Sequence, residues 1–377
     1  MTSTRNSIKE KSSMGFRCGI IGLPNVGKST IFNALTAAGA AVANYPFCTI
    51  DPNVGIVAVP DKRLEKIAGI IHPPKITHTT MEFLDIAGLV RGASRGEGLG
   101  NKFLGNIREV DAVVHIVRCF ENPDVAHIEG AIDPIRDIEV VNMELILADL
   151  ETVEHRIEKM ERQSKVGDKS AGKELDLCLL IRDALGRGIP VRKLHFDEEF
   201  HSIVHSLFLL TSKKVLYVAN IGEAALKKNS PLIDALKSYV ENEGSGVVVI
   251  CGNLEAEIAE LPAEEQEAYL TDLGIEESGL EKLIREGYKL LGLITFYTTV
   301  GPELRAWTIP NGTRAPVAAG KIHSDMERGF IRAEIIHYND FIREASWQSA
   351  REKGLIRSEG KDYVMKDGDI TLFRFNV

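Results

Sequence analysis

The chain contains no run of about 18 apolar residues, the length a membrane-crossing helix needs, so no transmembrane helix and no membrane partner are expected. Its first 13 residues, Met1 to Ser13, are polar and basic and lack the apolar stretch of a secretory signal. They read as a tail or an upstream start, with Met14 opening the first structured stretch. Only five cysteines occur in 377 residues: Cys18, Cys48, Cys119, Cys178 and Cys251. Odd in number, scattered and without a C-x-x-C pair, they argue against a disulfide framework or a zinc site and for a reducing cytosol. Internal repeats and low-complexity segments are missing too. With 44% hydrophobic and 26% charged residues, this excludes a mostly disordered chain, a collagen-like repeat and a coiled-coil rod. An excess of positive charge is also lacking: the net charge of −9 argues against generic polyanion binding, and no DNA specificity is expected. The acid is local, however. Residues 223–290 carry 15 Asp and Glu against 6 Lys and Arg, while residues 293–377 carry 11 against 12, so other parts of the chain can face RNA.

The length suits two or three domains. FRCGIIG (16–22), MEFLDIAG (81–88), DAVVHIVRCF (111–120), KVLYVANIG (214–222) and GVVVICGN (246–253) are short apolar runs with the character of buried strands. Helical stretches separate them, among them 61–71 and 230–244, and the alternation predicts a doubly wound α/β sheet. An interruption follows the third strand. Ile146, Leu150, Val153, Ile157 and Met160 recur at steps of four and three, a heptad seam. A polar loop at 165–172 then precedes a second helical run at 173–188, so an antiparallel helical hairpin is expected within 141–207. From Leu293 the texture turns β-rich, with Gly301-Pro302 and Pro310-Asn311-Gly312 as turns. The expected division is therefore 14–140 with 208–290 for the α/β domain, 141–207 for the insertion and 293–377 for a small α+β domain.

Gly22-Leu-Pro-Asn-Val-Gly27-Lys28-Ser29 is a full G-x-x-x-x-G-K-[ST] match between a strand and a helix. Its glycines let successive backbone N–H groups curl around phosphate oxygens, and the following helix adds its positive dipole end. Lys28 is placed to bridge β- and γ-phosphates and Ser29 to ligate Mg²⁺. The second strand ends in Asp85-Ile-Ala-Gly88, where the carboxylate can hold Mg²⁺ and Gly88 can approach the γ-phosphate. Between them, Thr49 can offer its hydroxyl to the same metal. Guanine readers carry N-K-x-D at the end of a strand; here the strand ends Asn220-Ile221-Gly222-Glu223, without the lysine and with an acid one methylene longer. Adenine offers no N1–H or N2 amine to a carboxylate, whereas an Asn amide can pair with adenine N6 and N7. ATP over GTP is the expectation, with Asn220 at the base. The Asn101-Lys102 dipeptide is a decoy, since Phe-Leu follows it.

GLPNVGKST, Thr49, DIAGLVRGASRGEGLGNKFL and HSDMERGFIRAEI together resemble the Obg-related P-loop GTPases, and more narrowly their YchF/Obg-like ATPase branch, over nearly all of residues 14–377. The resemblance implies a P-loop domain of OBG type, the helical insertion and a C-terminal TGS-like domain of β-grasp type. It implies a slow, nucleotide-switched ATPase that uses Mg²⁺ in the cytoplasm and docks on ribosomes, on the large subunit or a related rRNA–protein assembly. A GTP-specific Obg-like factor is the alternative. The nucleotide-binding set it implies is Asn25, Val26, Gly27, Lys28, Ser29 and Thr30 from the loop, Phe120 beside the adenine, and Asn220, Ile221 and Glu223 on the base side. Ser29, Thr49 and Asp85 form the metal set. Asn25 also resembles the asparagine that ligates K⁺ in potassium-activated relatives. Ras-like enzymes place a water-orienting Gln after D-x-x-G. Here Leu89 stands in that place, a hydrophobic replacement typical of the branch, and His127 matches the histidine proposed to substitute for it. Lys28, Gly88 and His127 are thus the catalytic candidates. His115, inside a strand, reads as a core histidine, and Lys321, Arg328 and Arg332 are candidate RNA contacts.

Overall fold

The computed structural model describes residues 16–40, 53–86, 99–121, 132–164, 169–226 and 230–376. Its first sheet is built from β1 (Arg17–Ile21), β2 (Val54–Ala58), β4 (Thr80–Asp85), β5 (Ala112–Arg118), β6 (Lys214–Asn220) and β7 (Gly246–Ile250), with β3 (Lys75–Thr77) lying elsewhere. The order is β2-β4-β1-β5-β6-β7, parallel throughout except for β2, which runs antiparallel to β4. β5 is buried along its whole length, the signature of a parallel strand covered by helices on both faces.

The second sheet holds β8 (Leu293–Val300), β9 (Glu303–Pro310), β10 (Phe330–His337), β11 (Arg357–Glu359) and β12 (Asp369–Phe375), in the order β11-β10-β12-β8-β9-β3. β12 lies at the centre, parallel to β8 and antiparallel to β10. Two antiparallel pairs, β8–β9 and β10–β11, flank the central strand, and with the helix Ala315–Ile322 packed on one face through Ala315, Ala318 and Ala319 they make a β-grasp.

The helix Lys62–Ile71 is a departure from expectation. The sequence reading makes it one of the helices separating strands of the nucleotide sheet, within 14–140. Instead, Leu64, Ile67 and Ala68 enter the C-terminal core beside Tyr297, Leu304 and Ile336, and β3 pairs in parallel with β9. Residues 61–79 are therefore packed with 293–376. Periodicity reports that a helix has an apolar face, not which core receives it.

The insertion forms an antiparallel pair from the helices Pro134–Ser164 and Lys169–Gly186. Ile146, Val153, Ile157 and Met160 of the seam are buried, and Leu150 is partly so. The first helix begins at Pro134, before the expected 141, because Ile138, Val141 and Leu145 belong to the core of the nucleotide sheet. At the root, the buried Asp149 carboxylate accepts the N–H groups of Leu210 and Thr211, each at 2.8 Å, and the Thr211 hydroxyl at 2.6 Å. Among the described residues no helix is long and apolar enough to cross a membrane.

Candidate functional site

The phosphate loop occupies the turn from β1 into the helix Lys28–Ala40. Three backbone positions shape it. Asn25 and Gly27 take positive φ, 64° and 89°. At Gly22 an added Cβ would stand 2.7 Å from the Ile116 carbonyl oxygen, so only glycine fits there. Val26 is buried, which anchors the loop, while Ser29 is exposed and Thr30 partly exposed on the helix's first turn.

Lys28 extends to the end of β4, where its ammonium contacts the Asp85 carboxylate. Asp85 is itself fixed from both sides. Its N–H donates to the Asn53 carbonyl at 2.8 Å, and the next N–H, of Ile86, reaches Ile20 on β1 at 3.2 Å. Loop and acid thus meet at the C-terminal ends of β1 and β4, the side of an open α/β sheet where ligands bind. The seat at Asp85 already receives a cation, and Ser29 supplies a hydroxyl on the helix that carries Lys28. A hard oxygen donor set of this kind suits Mg²⁺. Among the described residues no cluster of three or more His, Cys, Asp or Glu offers a softer metal site.

The base side gathers at the ends of β5, β6 and β7. The Asn220 amide is buried and makes two hydrogen bonds to the scaffold: Nδ2 donates to the Val26 carbonyl at 2.9 Å, and Oδ1 accepts from the Gly252 N–H at 3.0 Å. One N–H and one lone pair remain for any base, so the side chain is first a brace between the phosphate loop and the helix Gly252–Glu260. A Cβ at Gly27 would lie 2.1 Å from Asn220 Nδ2, a second reason for glycine there. Ile221 is a core residue at the end of β6, and its N–H is given to the Ile250 carbonyl at 2.8 Å. Glu223 is exposed on a short turn, Glu223–Ala225.

Phe120 is half-buried beyond β5, with Gly222 against its Cβ. The Arg118 guanidinium lies 4.7 Å from its ring centroid, and Arg118 Nε donates to the Phe120 carbonyl at 3.1 Å. This stacked cation was missed in the sequence. The two-residue spacing, which places alternate strand residues on one side, was the available signal. Thr49, Gly88, Leu89 and His127 lie outside the described residues. Asn101-Lys102 falls inside the helix Leu99–Glu109. His115 is in the core against Tyr217, its ring centroid 5.5 Å away.

Two family models match the chain. One, described as 50S ribosome-binding GTPase, covers residues 17–221; the other, the YchF-GTPase C-terminal family, described as protein of unknown function, covers 293–376. The chain is 53% identical over 365 residues to the ribosome-binding ATPase YchF of Haemophilus ducreyi, covering 97% of this chain and all of that one. It is 51% identical over 366 residues to its namesake in Bacillus subtilis, with the same coverage. The solved structure of the Schizosaccharomyces pombe YchF GTPase superimposes with a TM-score of 0.87 at 36% identity, covering 96% of this chain and 98% of that one. Matched from end to end in sequence and in fold, the chain belongs to the YchF family of P-loop GTPases.

Proposed function

We propose that this protein is a ribosome-associated nucleotide switch of the cytoplasm that binds ATP with Mg²⁺, in preference to GTP, and hydrolyses it slowly. The observation that carries the reading is the meeting of Lys28 with Asp85 beside a base side that ends Asn220-Ile221-Gly222-Glu223 in place of N-K-x-D. The loop N–H groups and Lys28 hold the phosphates. Ser29, Thr49 and Asp85 would hold Mg²⁺, which when bound would neutralise the charge that develops on the phosphates. Asn220 has one N–H and one lone pair to offer the six-amino edge of adenine, and Phe120, backed by Arg118, offers a flat apolar face. With Leu89 in place of a water-orienting glutamine, hydrolysis depends on His127 or on a partner, and Asn25 is the residue for a K⁺ contribution. Gly88 is the hinge by which the γ-phosphate would reset the following segment. The full-length relatives named as ribosome-binding ATPases support the docking partner, and the large subunit is our choice within it.

The test is ATP turnover with and without ribosomes, in K⁺ and in Na⁺, beside titrations of fluorescent ATP and GTP analogues. Tighter ATP binding and ribosome-stimulated turnover are expected. Tighter GTP binding would instead favour a GTP-specific factor, the reading that the 50S ribosome-binding GTPase model supports.

A further inference from the structure

Connections between neighbouring antiparallel strands usually take two to five residues. Here β2 and β4 are joined by residues 59–79, and this connection leaves the nucleotide sheet. Its helix buries Leu64 and Ile67 completely, against Tyr297, Leu304 and Ile336 of the C-terminal domain. Its strand β3 extends the second sheet, with the Lys75 N–H donating to the Pro302 carbonyl at 3.1 Å. A polar clasp closes the junction. Asp61 caps the helix by accepting the Arg63 N–H at 3.0 Å, and it also accepts Arg63 Nε at 3.0 Å. Arg63 Nη1 reaches Asp367 at 2.7 Å, and the Tyr297 hydroxyl donates to Asp61. Asp367 in turn accepts the Thr295 N–H at 2.9 Å, so both sides of the clasp are tied to backbone.

The connection leaves and rejoins the β2–β4 pair at Ala58 and Thr80, and the far end of that pair is the magnesium side of the site. β4 ends at Asp85, and its register with β2 sets Val54 opposite Leu84, while the Asn53 carbonyl takes the Asp85 N–H. A packed strand pair transmits displacement because its bonds and side chains have little slack. The base-side groups Asn220 and Gly252 stand on the opposite half of the sheet, at β6 and β7, which meets the C-terminal domain through a different element, the helix Gly279–Leu290 that runs on into β8.

We propose that Asp61, Arg63, Tyr297 and Asp367 are positioning residues through which the C-terminal domain sets the place of Asp85. Residues 59–79 act as a strut: what the C-terminal domain docks is coupled to the magnesium-dependent part of nucleotide binding, and the base side is left out. This rests on the magnesium-nucleotide reading above and names the control of that site.

The full-length chain is titrated with a fluorescent ATP analogue in Mg²⁺ and, separately, in EDTA. The variants are Tyr297→Phe, Arg63→Ala and Arg63→Lys. Arg374→Ala, at an exposed pair with Glu334 elsewhere in the C-terminal domain, is the control. Thermal melting checks that each is folded. The expected result is a Kd in Mg²⁺ raised roughly fivefold for Tyr297→Phe and Arg63→Ala, with Kd in EDTA unchanged. Arg63→Lys should recover part of the loss, and Arg374→Ala should match the wild type. Folded clasp variants with an unchanged Kd in Mg²⁺ would overturn the strut. So would equal weakening with and without Mg²⁺, which marks general loosening. A wild type that binds the analogue no better with Mg²⁺ overturns the magnesium reading and the strut together, and that result needs no variant.

Discussion

Lys28 and Asp85 hold each other across the junction of the phosphate loop with the end of β4, their side chains 12% and 20% exposed. Each is the natural partner of a different ligand, Lys28 of phosphate oxygens and Asp85 of a divalent cation. In the proposed site their contact brings the anion-binding and cation-binding halves together. Lys28→Ala should abolish phosphate-dependent nucleotide binding, and retained tight ATP binding would contradict the phosphate-loop reading. Asp85→Asn should keep binding in EDTA and lose most of the gain from Mg²⁺. Each change leaves a largely buried group without its partner and should cost about 1–3 kcal/mol of stability, and thermal melting reads this directly.

The Asn220 brace leads to a different expectation. Asn220→Ala leaves the Val26 carbonyl and the Gly252 N–H without that partner in a buried place, at about 1–3 kcal/mol for each orphaned group. Affinity for both nucleotides should fall, that for ATP further because the amide also serves adenine, and the melting temperature should fall with them. An altered ATP-to-GTP ratio at unchanged stability would show instead that the amide serves the base alone.

Much of this was readable in the chain, and the exceptions share a cause. The phosphate loop is legible because glycine spacing, lysine and hydroxyl are local and each has a single use. The heptad seam is legible because Ile146, Val153 and Ile157 repeat within one helix. The small α+β domain was legible from turns and short apolar runs, and its β-grasp type from the family resemblance. Asn220 was legible as a site residue but not as a brace, because its partners Val26 and Gly252 are distant in sequence. The helix Lys62–Ile71 shows the same limit: its apolar stripe is plain, yet its receiving core, Tyr297 and Leu304, lies more than 200 residues on. Pairings across such separations are set by tertiary packing, which no local pattern encodes.

The insertion should be separable from the site. Ile157 is buried in a cluster with Val153, Leu177 and Ile181 that excludes the nucleotide core. Ile157→Ala should cost about 2–5 kcal/mol, the usual toll of such a core truncation, and loosen the hairpin first. Hydrogen exchange in 146–185 should rise while nucleotide affinity stays as in the wild type. A parallel loss of affinity would show that the hairpin supports the site.

His127 is the candidate for orienting the attacking water. A side chain in that role contributes about 100-fold or more to the chemical step. His127→Ala should lower turnover by that order with Kd for ATP unchanged. Single-turnover hydrolysis is the measurement, and an unaltered rate would return His127 to the class of ordinary loop histidines.

His115 makes acid stability a test of the core. It is 2% exposed on β5, and burial, followed by the charge of Arg192, lowers its pKa from 6.5 to about 3. The folded chain therefore keeps it neutral where the unfolded chain protonates it. Below about pH 6.5 the unfolded state holds one more proton, and stability falls as pH falls, by about 1.4 kcal/mol per unit for this group, until the folded pKa is reached. His115→Gln cannot take up that proton. Its urea unfolding free energy should start lower at neutral pH, because packing against Tyr217 is altered, and decline less steeply between about pH 6.5 and pH 5. If wild type and variant run parallel over that interval, the imidazole is not held neutral in the core, and the coupling of its burial to acid sensitivity is refuted.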